Sequence, residues 1–158
     1  MIEHLTVIDV KFVTGGPNVT NKKPYEYTTD FAVDVFFADE KKTRYKMRCM
    51  IYAGFKLDGA SRPGFFGCLV KNWSKKNALY NVGTTLHDAF YIHQGFGIFS
   101  REAVDDLLVQ IWKMSGEINA FVGFFVDKGI QLFAGGPEHW GNDDYEVCDK
   151  VNICVGEL

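Results

Sequence analysis

Apolar and polar positions change period part-way along the chain, and the change separates a β-rich first half from an α-rich middle. Thr6, Ile8, Val10 and Phe12 alternate with more polar neighbours, the period of a half-buried strand on that parity. Gly15-Gly16-Pro17-Asn18 breaks the run. Residues 29–37 and 44–52 are β-rich and separated by a charged turn at 38–42, which predicts a hairpin. A loop carrying Gly54, Gly59, Pro63, Gly64 and Gly67 follows, and then the period lengthens. Residues 78–94 read as a helix that ends at Gly95, a C-cap residue. Ser100 is a good N-cap for a second helix, with Glu102, Asp105 and Asp106 near its positive end. Its apolar positions Val104, Leu107, Leu108, Ile111 and Trp112 recur at helical spacing, and it stops near Gly116. A third helix is expected over 118–133, with Phe121, Val122, Phe125 and Ile130 on one side and Gly135-Gly136-Pro137 as terminator. Tyr145, Val147, Val151, Ile153 and Val155 share one parity, so a last strand is expected to return to the sheet.

Strands followed by helices argue for an α+β fold: an N-terminal antiparallel hairpin or sheet packed against a bundle of about three helices, with a C-terminal strand. At 158 residues the chain reads as a single domain over 1–158. A chain of this size buries roughly two-thirds of the surface it exposes unfolded, so no disulfide or metal staple is required.

Composition narrows the partners more than the fold. Hydrophobic content of 47% and charged content of 23% are those of a globular protein. A net charge of -3, with no basic stripe, predicts no general nucleic-acid binding. The lysines between 71 and 76, around Trp73, read as a solvated loop. Cys49, Cys68, Cys148 and Cys154 match neither a metal knuckle nor a disulfide framework, and are expected to be reduced and inert. The N-terminus has no charged-then-apolar signal segment, and no apolar run reaches membrane-spanning length.

Candidate chemistry concentrates in Leu86-His87-Asp88-Ala89-Phe90-Tyr91, where titratable groups stand inside an otherwise apolar helix. His87 and Tyr91 are four apart and share a face, whereas Asp88 points to a neighbouring one. The carboxylate that orients the His87 ring is therefore expected from another element. Asp105 is the candidate, because a short glycine-containing loop makes the two helices antiparallel neighbours. His87 would then act as general base and Asp105 would hold its tautomer. Asp58 and Asp88 are candidate ligands for a divalent cation, and Ser61, Arg62 and Tyr91 are candidate substrate-binding residues. A structural reading of the same residues stands beside this one: a satisfied core histidine, and acids at a helix start that the macrodipole explains.

The ordered set Phe55-Lys56-Leu57-Asp58-Gly59-Ala60-Ser61-Arg62-Pro63, Leu86-His87-Asp88-Ala89-Phe90-Tyr91 and Ser100-Arg101-Glu102-Ala103-Val104-Asp105 resembles a family of small bacteriophage and prophage proteins of unknown function. The resemblance covers residues 54–136; Arg62, Gly64 and Val104 depart from the family's usual residues. It implies a phage-encoded protein of the host cytoplasm or the virion. The His-Asp-x-x-Tyr helix is also similar to that of calcium-dependent secretory phospholipases. That likeness implies His87 as base, Asp88 as cation ligand and Asp105 as orienting carboxylate. The expected function is hydrolase-like, cation-assisted general-base chemistry. Two alternatives are a non-enzymatic phage protein, as virion component or binder of a host or phage protein, and a protein that sequesters a small ligand.

Overall fold

The computed structural model describes residues 1–57, 70, 71, 73–119, 121–123, 128, 140 and 150–158. Its order of elements is β1 (Leu5–Thr14), β2 (Tyr25–Glu26), β3 (Phe31–Asp39), β4 (Arg44–Ile51), β5 (Lys56–Leu57), α1 (Ala78–Ile92), a 3-10 turn (Gln94–Gly97), α2 (Arg101–Met114) and β6 (Val151–Glu157). β1, β3, β4 and β6 form an antiparallel sheet in the order β1-β3-β4-β6, and β2 pairs with β5 in a small second sheet. The fold is α+β, and the C-terminal strand closes the sheet against β4.

The hairpin forms where the sequence places it. β3 and β4 pair from Phe31↔Ile51 to Ala38↔Arg44. Its turn is fastened by Asp39, whose side chain accepts from the Thr43 N–H at 2.9 Å while its carbonyl accepts from the Lys42 N–H at 2.9 Å. Period-2 alternation sends Val33, Val35 and Phe37, with Met47, Cys49 and Ile51 opposite, to one face, where all are fully buried. Helices α1 and α2 cover that face with Val82, Leu86, Ala89, Phe90, Ala103, Val104, Leu107 and Ile111, all in the same apolar cluster. Each of the Val, Leu, Ile and Phe side chains among them contributes roughly 1.5–3 kcal/mol when fully buried.

Three features fix the two helices relative to each other. Asn77 caps α1, accepting from the Tyr80 N–H at 3.2 Å, and its amide donates to the Ser115 carbonyl at the far end of α2 at 2.7 Å. Ser100 caps α2, accepting from the Ala103 N–H at 3.1 Å. Gly83 lets the helices approach: a Cβ there would stand 3.0 Å from Trp112 Cδ1 and 3.2 Å from Ile111 Cγ2. Beside it the Tyr80 and Trp112 rings stack at 4.8 Å, and the indole N–H donates to the Tyr80 carbonyl at 3.1 Å.

The structure corrects the sequence reading in several places. In β1 the buried parity begins at Leu5 and not at Thr6: Thr6, Ile8 and Phe12 are exposed, and only Val10 of the expected four is part-buried. A register shift between Val7 and Asp9 moves the strand to the other parity, so neither alternation holds along its length. Phe121, expected on the core side of a third helix, is 72% exposed. Residues 121–123 and 128 are helical, and Ile118 is buried with Tyr80 and Trp112; the rest of that expected helix lies outside the described residues. Phe96 and Phe99, which flank the glycines of the 3-10 turn, pack inward. Phe99 is buried between Phe37 and Phe90, at 5.6 and 5.3 Å. Phe65 and Phe66 lie outside the described residues. Cys49 is buried, which pushes its thiol up, whereas Cys154 is exposed. Among the described residues no helix is long and apolar enough to cross a membrane.

Candidate functional site

α1 and α2 face each other with their apolar stripes, except near the 3-10 turn, where His87, Tyr91 and Asp105 meet. The reason is local. The 3-10 turn reverses the chain within a few residues, using left-handed backbone at Gly95 (φ 63°) and Phe96 (φ 54°). The last turns of α1 therefore lie beside the first turns of α2, and His87 and Tyr91, one turn apart, both face Asp105.

The geometry is compact. His87 Nε2 lies 3.1 Å from Asp105 Oδ1, and the Tyr91 hydroxyl donates to that same oxygen at 2.8 Å. The His87 and Tyr91 rings lie 4.3 Å apart. The other ring nitrogen, Nδ1, lies 3.6 Å from Asp88 Oδ1, beyond good hydrogen-bonding distance but close enough for strong charge attraction. The Asp105 side chain is 6% exposed, that of His87 15% and that of Asp88 24%, so accessibility increases from Asp105 through the ring to Asp88. Trp140 packs edge-on against Tyr91 at 5.0 Å and closes the cluster on that side.

Burial alone would lower the affinity of the His87 imidazole for its second proton. The hydrogen bond to Asp105, and Asp88 beside it, outweigh burial and raise the pKa to about 9. Burial, reinforced by the Asp105 charge, pushes the Tyr91 hydroxyl up, so it stays protonated and serves as a donor. At neutral pH the centre is an imidazolium between two carboxylates.

His87, Asp105, Tyr91 and Asp88 are thus brought together. Asp58, Ser61 and Arg62, the expected cation and substrate ligands of the glycine loop, lie outside the described residues. Among the described residues no group of three or more His, Cys, Asp or Glu side chains could hold a metal ion. The described part of the centre offers a cation the Asp88 carboxylate, far short of the roughly six to eight oxygens that calcium takes.

Other placements differ from the sequence reading. Thr84, one turn before His87 on α1, belongs to the neighbouring cluster, where its hydroxyl accepts from the Trp112 indole at 3.2 Å. Asp106 turns away and pairs with His4 at 3.1 Å. Trp140, which the sequence reading did not single out, is a packing partner of the site. Its distance in sequence from α1 leaves no periodicity by which to find it. Tyr27 also escaped the sequence reading. Its buried hydroxyl lies 2.5 Å from Thr85 Oγ1, on α1 just before His87, and the hydroxyl is pushed up chiefly by burial and in small part by Asp88.

No protein-family model, curated protein or solved structure matches the chain.

Proposed function

We propose that this is a phage-encoded protein in which His87, Asp105 and Tyr91 are the proton-handling centre of a hydrolase-like site. The observation that carries the reading is the asymmetry of the His87 ring. Nε2 is tied to a buried carboxylate that Tyr91 also holds, while Nδ1 faces the more exposed Asp88 beyond good hydrogen-bonding distance. A general base needs one nitrogen anchored, to fix tautomer and orientation, and one left to exchange a proton. In this reading Nδ1 takes a proton from water, the water oxygen attacks an acyl carbon, and the imidazolium returns the proton to the departing oxygen. Asp105 orients the ring and stabilises its cation, and Tyr91 orients Asp105. The likeness of the His-Asp-x-x-Tyr helix to secretory phospholipases assigns His87 and Asp105 the same roles. The phage assignment rests on the motifs of residues 54–136, with the host cytoplasm or virion as location.

The raised pKa gives the reading a specific pH dependence. With a midpoint near 9, only about 1% of His87 is neutral at pH 7. Hydrolysis of p-nitrophenyl esters is expected to rise with pH and level off near 9, and to vanish in His87→Gln while the protein stays folded. A profile that is flat from pH 6 to 9, or His87→Gln with undiminished rate, refutes the proposal.

A second reading is favoured by the same raised pKa. An imidazolium between two carboxylates is a strong clamp between α1 and α2, as in a non-enzymatic virion component or host-factor binder. That reading expects the full chain to lack hydrolysis at every pH and to be found in purified particles by mass spectrometry.

A further inference from the structure

β1 lies at one edge of the sheet, and its residues 6–14 read Thr-Val-Ile-Asp-Val-Lys-Phe-Val-Thr. The segment is self-complementary about Val10. If a second copy of the strand is laid antiparallel with Val10 opposite Val10, then Asp9 falls opposite Lys11 and Ile8 opposite Phe12, and the register shifts between Val7 and Asp9 and between Phe12 and Thr14 end the regular pattern there. Each acid meets a base and each apolar residue meets an apolar one.

Two observations independent of this pattern agree with it. The first is exposure: Ile8 and Phe12 are 50% and 40% exposed, so the apolar members of the pattern stand at the surface of the edge strand. The second is where the backbone groups go. The Val10 N–H bonds to the carboxylate of the adjacent Asp9, at 2.9 Å, and Val10 stands opposite Val35 of β3, on the same parity as Phe37, whose partner Val7 turns its N–H outward to Gln110. Val10 therefore presents its N–H away from the sheet, as the central residue of a symmetric hydrogen-bonded pair must. The edge is blocked elsewhere. The Gln110 amide of α2 imitates a strand, accepting from the Val7 N–H and donating to the Leu5 carbonyl, both at 2.8 Å. That cap protects the first residues of β1, and among the described residues none caps the segment centred on Val10 in the same way.

We infer that the β1 edge is the contact surface for a second copy of this chain, the two strands pairing antiparallel about Val10 to join two sheets into one. On association the Val10 N–H of each copy passes from Asp9 to the Val10 carbonyl of the other. Asp9, which pairs with its own Lys11 at 3.4 Å, is freed for Lys11 of the second copy. The caps from Gln110 limit the pairing to the middle of the strand, so the contact is small and association depends on concentration.

Sedimentation velocity over a concentration series tests the inference. The unaltered chain is expected to pass from monomer to dimer by millimolar concentration. Asp9→Lys or Lys11→Asp, each alone, places like charges opposite one another and is expected to weaken the dimer at least tenfold or so. Mixing the two altered chains restores opposite charges at both positions and is expected to restore association as a heterodimer. Val10→Pro removes the outward N–H and is expected to be monomeric, with thermal melting showing that it remains folded. A chain monomeric at millimolar concentration, or single charge reversals that dimerise as the unaltered chain does, would overturn the inference.

Discussion

Two buried carboxylates, Asp34 and Asp105, are about equally hidden from water but have opposite kinds of partner. Asp34 alternates with the core residues of β3 and so lies on the sheet face away from the helices. It is held by the Arg48 guanidinium at 2.7 and 2.9 Å and by Lys46 at 3.0 Å. Those partners are cations at any ordinary pH, and with Arg48 foremost they hold the carboxyl at about 2. Asp105 lies between helices and is held by a histidine and a tyrosine hydroxyl. The histidine can lose its charge within a few units of neutrality, whereas Arg48 cannot. The first cluster is a permanent fastening; the second changes state by moving one proton. A carboxylate serves a proton-handling site only when its partner titrates.

The largest expected difference between the clusters is in stability after partner removal. His87→Ala strips the cation from the buried Asp105 and from Asp88, and is expected to cost about 3–5 kcal/mol in urea unfolding. The corresponding Asp34→Asn is expected to cost about 1 kcal/mol, because Lys46 and Arg48 are each more than a third exposed and water takes over their charge. Equal losses would erase the distinction. The expected cost of His87→Ala is also the reason that His87→Gln, which keeps a donor for Asp105, is the better probe of activity.

The next largest difference is in the pH dependence of unfolding. The folded pKa of His87 is raised from 6.5 to about 9, so its contribution is complete below about pH 6.5 and is lost as pH rises through 9. The loss is on the order of 3 kcal/mol. Asp34 has the reverse sign. Its pKa is lowered, so its contribution is present above about pH 4 and is lost as pH falls through about 2. Urea midpoints from pH 2 to 10 are expected to fall at both ends, with His87→Gln flattening only the alkaline side. A smaller effect separates the two partners of Asp105. Tyr91→Phe removes one neutral donor from Asp105 and is expected to cost about 1–2 kcal/mol. An effect as large as that of His87→Ala would make Tyr91 the principal partner.

The helical cluster was more legible in the sequence than the sheet's edge. Helical spacing places His87 and Tyr91 on one face, and a short loop forces antiparallel packing, so the approach of Asp105 follows from two local rules. Ser100 marks the start of α2 by its own conformational preference, whereas α1 ends at Ile92 with His93 as its cap, short of the expected Gly95, which lies inside the 3-10 turn. The β3–β4 hairpin follows from alternation and a charged turn. What escaped depends on contacts between distant segments. The bulge after Val7 is invisible to a period-2 pattern because apolar residues stand on both parities of β1. Trp140 reaches Tyr91 from far along the chain, and Gln110 caps the edge of β1 across more than a hundred residues. Of the expected cation ligands, Asp88 stands beside His87 and Asp58 lies outside the described residues.

The central claim is that His87 is an imidazolium anchored by Asp105 at neutral pH. It is tested most directly by following the His87 ring resonances by NMR through a pH titration. The account predicts a midpoint near 9 in the unaltered protein and a clear fall in Asp105→Asn. A midpoint at or below 6.5, or one that Asp105→Asn leaves in place, would contradict it.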